Sequence, residues 1–142
     1  MTELDGARGD EQEIREAEKL LGDLRQALMR LHKVLLDWER RGYERIHGRQ
    51  SSHDMLQVLL SDSQFAWLRP VSQLIVRIDE ILSEPTPPMR NDVAAIVAAV
   101  RTLTSPNESG NTYERRYDMA LQQLPDAVVA HGEVRGLIKS AN

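Results

Sequence analysis

A glutamate and a histidine three residues apart on a helix share one face and can bind the same metal ion. Glu44 and His47 have that spacing. A dinuclear metal bundle needs two such pairs and two further carboxylates on facing helices, whereas this sequence supplies one pair, beside Gly48. The simpler reading is an exposed polar turn at a helix end. His32, His53 and His131 have no inward-pointing acid at helical spacing and read as surface or boundary side chains. His131, next to Gly132, fits the C-terminal end of a turn, where a partly charged imidazole is favoured. Ser51, Ser52, Ser61 and Ser63 fall where helix caps belong, and no Gly-x-Ser-x-Gly frame surrounds them. The chain has no cysteine, which removes thiol nucleophiles, disulfides and Cys-ligated zinc. It has no Gly-rich phosphate loop either. No catalytic residue, metal or cofactor is therefore assigned, and the expectation is a protein that is not an enzyme.

Two groups of residues suit binding instead. Arg41, Arg45 and Arg49 recur every four positions, with Arg40 nearby, and so line one edge of a helix. Like charges at that spacing are mildly unfavourable, and guanidinium forks match phosphate or carboxylate. The alternative is a solvated stripe with Asp37 and Glu44 as local partners, Asp37 and Arg41 being four apart. Phe65, Trp67 and Trp38 make up half of the aromatic residues. Tryptophan at an irregular junction plugs the core, lines an apolar pocket or anchors a partner. Trp38, Arg41, Arg45, Arg49, Phe65, Trp67 and Arg69 are the candidate ligand- or partner-binding set.

The elements that must position these residues are helical. Leu21, Leu24, Leu28, Leu31, Leu35 and Trp38 step by 3, 4, 3, 4 and 3, which is one stripe of a helix. No apolar segment has the period of two that a strand requires. Residues 1–9 hold two glycines, read as frayed, and Asp10 is a candidate cap for a helix over 11–47 that Gly48 ends. Along this stretch residues 1–23 carry eight acids and three bases, and residues 24–50 three acids and seven bases. Acids at the start and bases at the end also suit any long helix.

Ser51 caps a second helical region over 53–83, broken or kinked between 61 and 70, where Ser63 is a further cap and Pro70 opens a new helix or bends an old one. Pro85, Pro87 and Pro88 form the clearest connector. The next helix, over 89–104, places Val93, Ile96, Val100 and Leu103 on one face with alanines on the others, which predicts a central position. Asn111 or Thr112 caps a last helical region over 112–139. Pro125 interrupts it and Gly132 divides its end into short turns, 127–131 and 134–138.

At 142 residues the chain is long enough for one domain, 10–142, with its own core. The formal charge of −4 argues against general nucleic-acid binding. The apolar run over 93–100 is too short to span a bilayer, and the polar first 30 residues carry no secretory signal. A cytoplasmic location and no membrane partner are expected.

The run Phe65-Ala66-Trp67-Leu68-Arg69-Pro70-Val71-Ser72-Gln73-Leu74-Ile75-Val76-Arg77-Ile78-Asp79-Glu80, preceded by His47-Gly48-Arg49, resembles a group of small uncharacterised bacterial all-helical proteins. The resemblance covers the middle third of the chain. It implies a bacterial cytosolic origin and an all-helical fold, and carries no activity, cofactor or catalytic residue.

The fold expected is all-α: an antiparallel four-helix bundle with a kinked or broken second helix and extra short C-terminal turns. The function expected is a protein-interaction module, self-associating or binding a protein partner through a face near residues 65–70. The alternative is a small apolar or anionic ligand held between helices near Trp38, Trp67 and the arginine stripe.

Overall fold

A computed structural model describes the backbone of residues 2–141 and the side chains of residues 9–141. The described residues form six α-helices and one 3₁₀ segment, with no strand. In order these are α1 (Thr2–His47), α2 (Ser52–Ser61), the 3₁₀ segment (Ser63–Leu68), α3 (Arg69–Ser83), α4 (Arg90–Leu103), α5 (Thr112–Gln123) and α6 (Pro125–Ser140). No helix among them is long and apolar enough to cross a membrane.

At 1.5 Å per residue, α1 is about 69 Å long and forms the spine of the fold. Its leucine stripe turns inward: Leu21, Leu24, Leu28, Leu31 and Leu35 are at most 1% exposed. Trp38, the sixth member, is half-buried and packs on the same core. The most extensive contacts of α1 are with α6 and α3. Interhelical ion pairs join Arg25 to Asp79, Arg30 to Glu133, Glu13 to Arg90 and Arg77 to Asp92.

Several boundaries follow the local chemistry. Gly48 adopts φ +82° and its N–H bonds Glu44 O at 2.8 Å, which ends α1 in the left-handed turn that glycine tolerates best. Ser51 caps α2 by accepting from Asp54 N at 3.1 Å. Pro70 sits in the first turn of α3, where its missing N–H costs nothing. Asn111 and Glu114 form a capping box on α5.

Other expectations are corrected. Asp10 lies inside α1, which runs upstream to Thr2, so it is no cap. The fraying expected for residues 1–9 falls mostly on side chains outside those described. Asp62, not Ser63, caps the 3₁₀ segment, accepting from Gln64 N at 2.8 Å. α4 is not central: Ala94, Ala95 and Ala98 face solvent, and only Ile96, Val97 and Val100 are buried. Ala99 packs against the core, while the three exposed alanines serve helix propensity.

The C-terminal turns expected after Pro125 are one continuous helix, α6. Ala127, Ala130, Val134 and Ile138 step by 3, 4 and 4 and bury against the core, while Gly132 and Gly136 fall on the exposed face. A core-facing stripe therefore overrides two helix-weakening glycines.

Candidate functional site

Adding one more step of four to the α1 stripe leads from Leu35 to Glu39, a charged residue only 4% exposed. A carboxylate is held in such a place only when donors surround it. Trp67 donates its indole N–H to Glu39 Oε1 at 2.9 Å, and Gln64 donates to Oε2 at 2.8 Å. Gln64 also reaches the Glu39 backbone carbonyl at 3.3 Å, and Arg116 of α5 stands 3.4 Å from Oε1. Gly42, one turn further on, has Gln64 beside it, so the 3₁₀ segment lies close against α1. No buried side-chain polar atom among the described residues is left without a partner. With its oxygens engaged by three donors, Glu39 fixes the 3₁₀ segment against α1.

From Trp67 a chain of rings leads outward. Trp67 meets Tyr113 edge-on at 5.5 Å, Tyr113 stacks on Tyr117 at 5.8 Å, and Tyr117 lies 5.6 Å from His131. Tyr117 Oη and His131 Nδ1 are hydrogen-bonded at 2.7 Å, and Tyr113 donates its hydroxyl to Leu103 O at 2.8 Å. Burial pushes both tyrosine hydroxyls well above their ordinary range. Burial, helped by the Arg135 charge, pushes His131 below the usual imidazole value. His131 therefore sits in mid-helix and favours its neutral form, correcting the expectation of a partly charged imidazole at a turn end.

The binding residues read from sequence divide into two groups. Phe65 and Trp67 are buried, and Trp38 is half-buried and packs against the core. The face expected around residues 65–70 is reduced to the exposed Arg69 and Pro70. The aromatics are plugs at an irregular junction, with Tyr43 6.0 Å from Phe65.

Arg41, Arg45 and Arg49 are exposed, and no described carboxylate lies within 4.0 Å of them. Asp37 pairs with Lys33 at 2.9 Å rather than with Arg41, and Glu44 with Arg40 at 3.6 Å. His47 stacks on Tyr43 at 4.2 Å. Among the described residues no group of three or more His, Asp or Glu side chains is placed to hold a metal.

The chain also exposes apolar side chains close in sequence to the arginines. Ile46 is 78% exposed at the end of α1, and Leu56 and Leu60, one turn apart on α2, are 52% and 66% exposed. Met55 is the one residue that α2 buries. Neither this surface nor Glu39 stands out as a site in the sequence. For Glu39 the signal is there, in the step of four from Leu35.

No protein-family model, no curated protein and no solved structure matches the chain.

Proposed function

We propose that the chain is a non-enzymatic protein-interaction module whose docking face is the end of α1 together with α2. The observation that carries this reading is a short helix that buries only Met55 and turns Leu56 and Leu60 to solvent. Exposed leucines one turn apart are the anchors by which amphipathic helices dock. Arg41, Arg45 and Arg49, without described acidic partners, give this face a positive charge, so the fitting partner is an acidic amphipathic helix.

The chain carries such a segment itself. Asp10, Glu11, Glu13, Glu16 and Glu18 lie on the first half of α1 around Ile14 and Ala17. A two-fold axis across α1 brings the acidic half of one copy onto the basic half of the other, twice over. The partner proposed is therefore a second copy.

Within one chain α1, α3, α4 and α6 are read as the antiparallel bundle. The pairing of Arg25 with Asp79 and of Glu39 with Gln64 supports this, because rising numbers on α1 meet falling numbers beyond it. Kinship with small bacterial helical proteins and a cytoplasmic location belong to the same proposal.

Sedimentation velocity from micromolar to submillimolar protein tests it. The expected mass rises from 16.1 kDa toward twice that value, and falls back in the Leu56→Ser/Leu60→Ser variant or in high salt. A particle of 16.1 kDa throughout would remove the proposal.

A further inference from the structure

α1 and α4 both continue past the end of α6. Between them lies an open groove of about 970 Å³, within the size range of small-molecule sites. Its floor is apolar, from Ile14 and Leu20 on α1, Val93 and Val97 on α4 and Leu137 on α6. The α1 rim is acidic, but Glu13 is held by Arg90 and Asp23 by Lys19, which leaves Asp10 and Glu16.

The opposite end of the groove has the other sign. Arg101 borders the groove and also a second depression of about 240 Å³, lined by Arg101, Arg135, Gly136, Ile138 and Lys139. Three cations meet there, and none has a described carboxylate within 4.0 Å, unlike Arg25, Arg30, Arg77 and Arg90. Gathering three positive side chains without a counter-charge is unfavourable unless an anion joins them. Arg135 is tied to a buried side chain. Thr104, 2% exposed, donates its hydroxyl to Val100 O at 2.8 Å and receives Arg135 Nη1 at 3.4 Å. Gly136 keeps the floor open, with no atom within 4 Å of where a Cβ would stand.

We infer that the groove binds a single-chain anionic amphiphile: a hydrocarbon tail along Val93, Val97 and Leu137, and a carboxylate held by Arg101, Arg135 and Lys139. Guanidinium forks match a carboxylate in two-point geometry, and Arg101 joins head site to tail site. The cationic head site on α4 and α6 is apart from the α2 face, but the groove shares Asp10, Ile14 and Glu16 with the acidic segment of the proposed dimer. A titration run at protein concentrations where the chain sediments at 16.1 kDa keeps the two readings distinguishable.

Isothermal titration of the intact protein with dodecanoate, dodecanol and inorganic phosphate tests the inference. Dodecanoate, kept below its micellar concentration, is expected to saturate at one per chain. Dodecanol and phosphate are each expected to bind at least about tenfold more weakly. Arg101→Gln/Arg135→Gln should bring dodecanoate down to the level of dodecanol. Gly136→Leu puts a side chain into the notch from a position where a Cβ meets open space, and should do the same in a chain at least as stable as the parent.

Absence of dodecanoate binding would overturn the inference. So would equal affinity for dodecanol, which would leave the cations without a role. Phosphate binding as tightly as dodecanoate would make the notch a simple anion site and overturn the amphiphile. Indifference to Gly136→Leu would place the ligand elsewhere.

Discussion

The indole N–H of Trp67 donates to Glu39 Oε1 at 2.9 Å inside the core, joining the 3₁₀ segment to the middle of α1. Around this bond the irregular junction between α2 and α3 is fixed. Trp67 fills the space, Glu39 satisfies its polar atom, and Gln64 and Arg116 occupy the rest of the carboxylate.

Removing the acceptor should cost more than removing the charge. Glu39→Ala leaves the indole N–H buried without a partner and opens a small void, a loss of about 2–4 kcal/mol. Glu39→Gln keeps an oxygen for Trp67 and should cost about 1 kcal/mol. Urea denaturation measures both, and equal losses would show that the indole bond contributes little.

Stability should decline in mild acid. Burial lowers the pKa of His32, and burial together with the Arg135 charge lowers that of His131, from an ordinary value of 6.5. A depressed folded-state pKa means that the unfolded chain takes the proton first. The contribution is thus fully present above pH 6.5 and is lost as pH falls below it. Each histidine accounts for at most about 1.4 kcal/mol per pH unit. Denaturation midpoints at a series of pH values for the parent and for His32→Gln/His131→Gln check this, the variant being expected to show the flatter profile.

Two glycines should respond to alanine in opposite directions. Gly132 is helical and exposed, with nothing within 4 Å of where the alanine methyl would stand, so Gly132→Ala should stabilise by about 0.5–1 kcal/mol. Gly48 has φ +82°, so Gly48→Ala should destabilise by about 1 kcal/mol. Thermal midpoints of the two variants decide it.

The leucine spine is readable because Leu21, Leu24, Leu28, Leu31 and Leu35 repeat at the helical period, and all five are buried. The aromatic junction is readable in part: the residue types of Phe65 and Trp67 suit either a core plug or an exposed face, and they plug the core. Glu39 escapes a count of apolar residues alone, although its position belongs to the leucine stripe. Gly132 divides α6 in the sequence because a glycine stop and an exposed helical glycine look alike until the burial of Val134 and Ile138 is known. The exposure of Leu56 and Leu60 depends on how α2 sits against its neighbours, which periodicity does not contain.

Charge exchange between copies tests the docking face most directly. Arg41→Glu/Arg45→Glu and Glu11→Lys/Glu18→Lys alter exposed positions on the two halves of α1. Each variant alone should sediment as a monomer of 16.1 kDa, while an equimolar mixture should recover the dimer, since each variant then meets its complement. Wild-type mass in either variant alone, or no recovery on mixing, would contradict the pairing of the two halves.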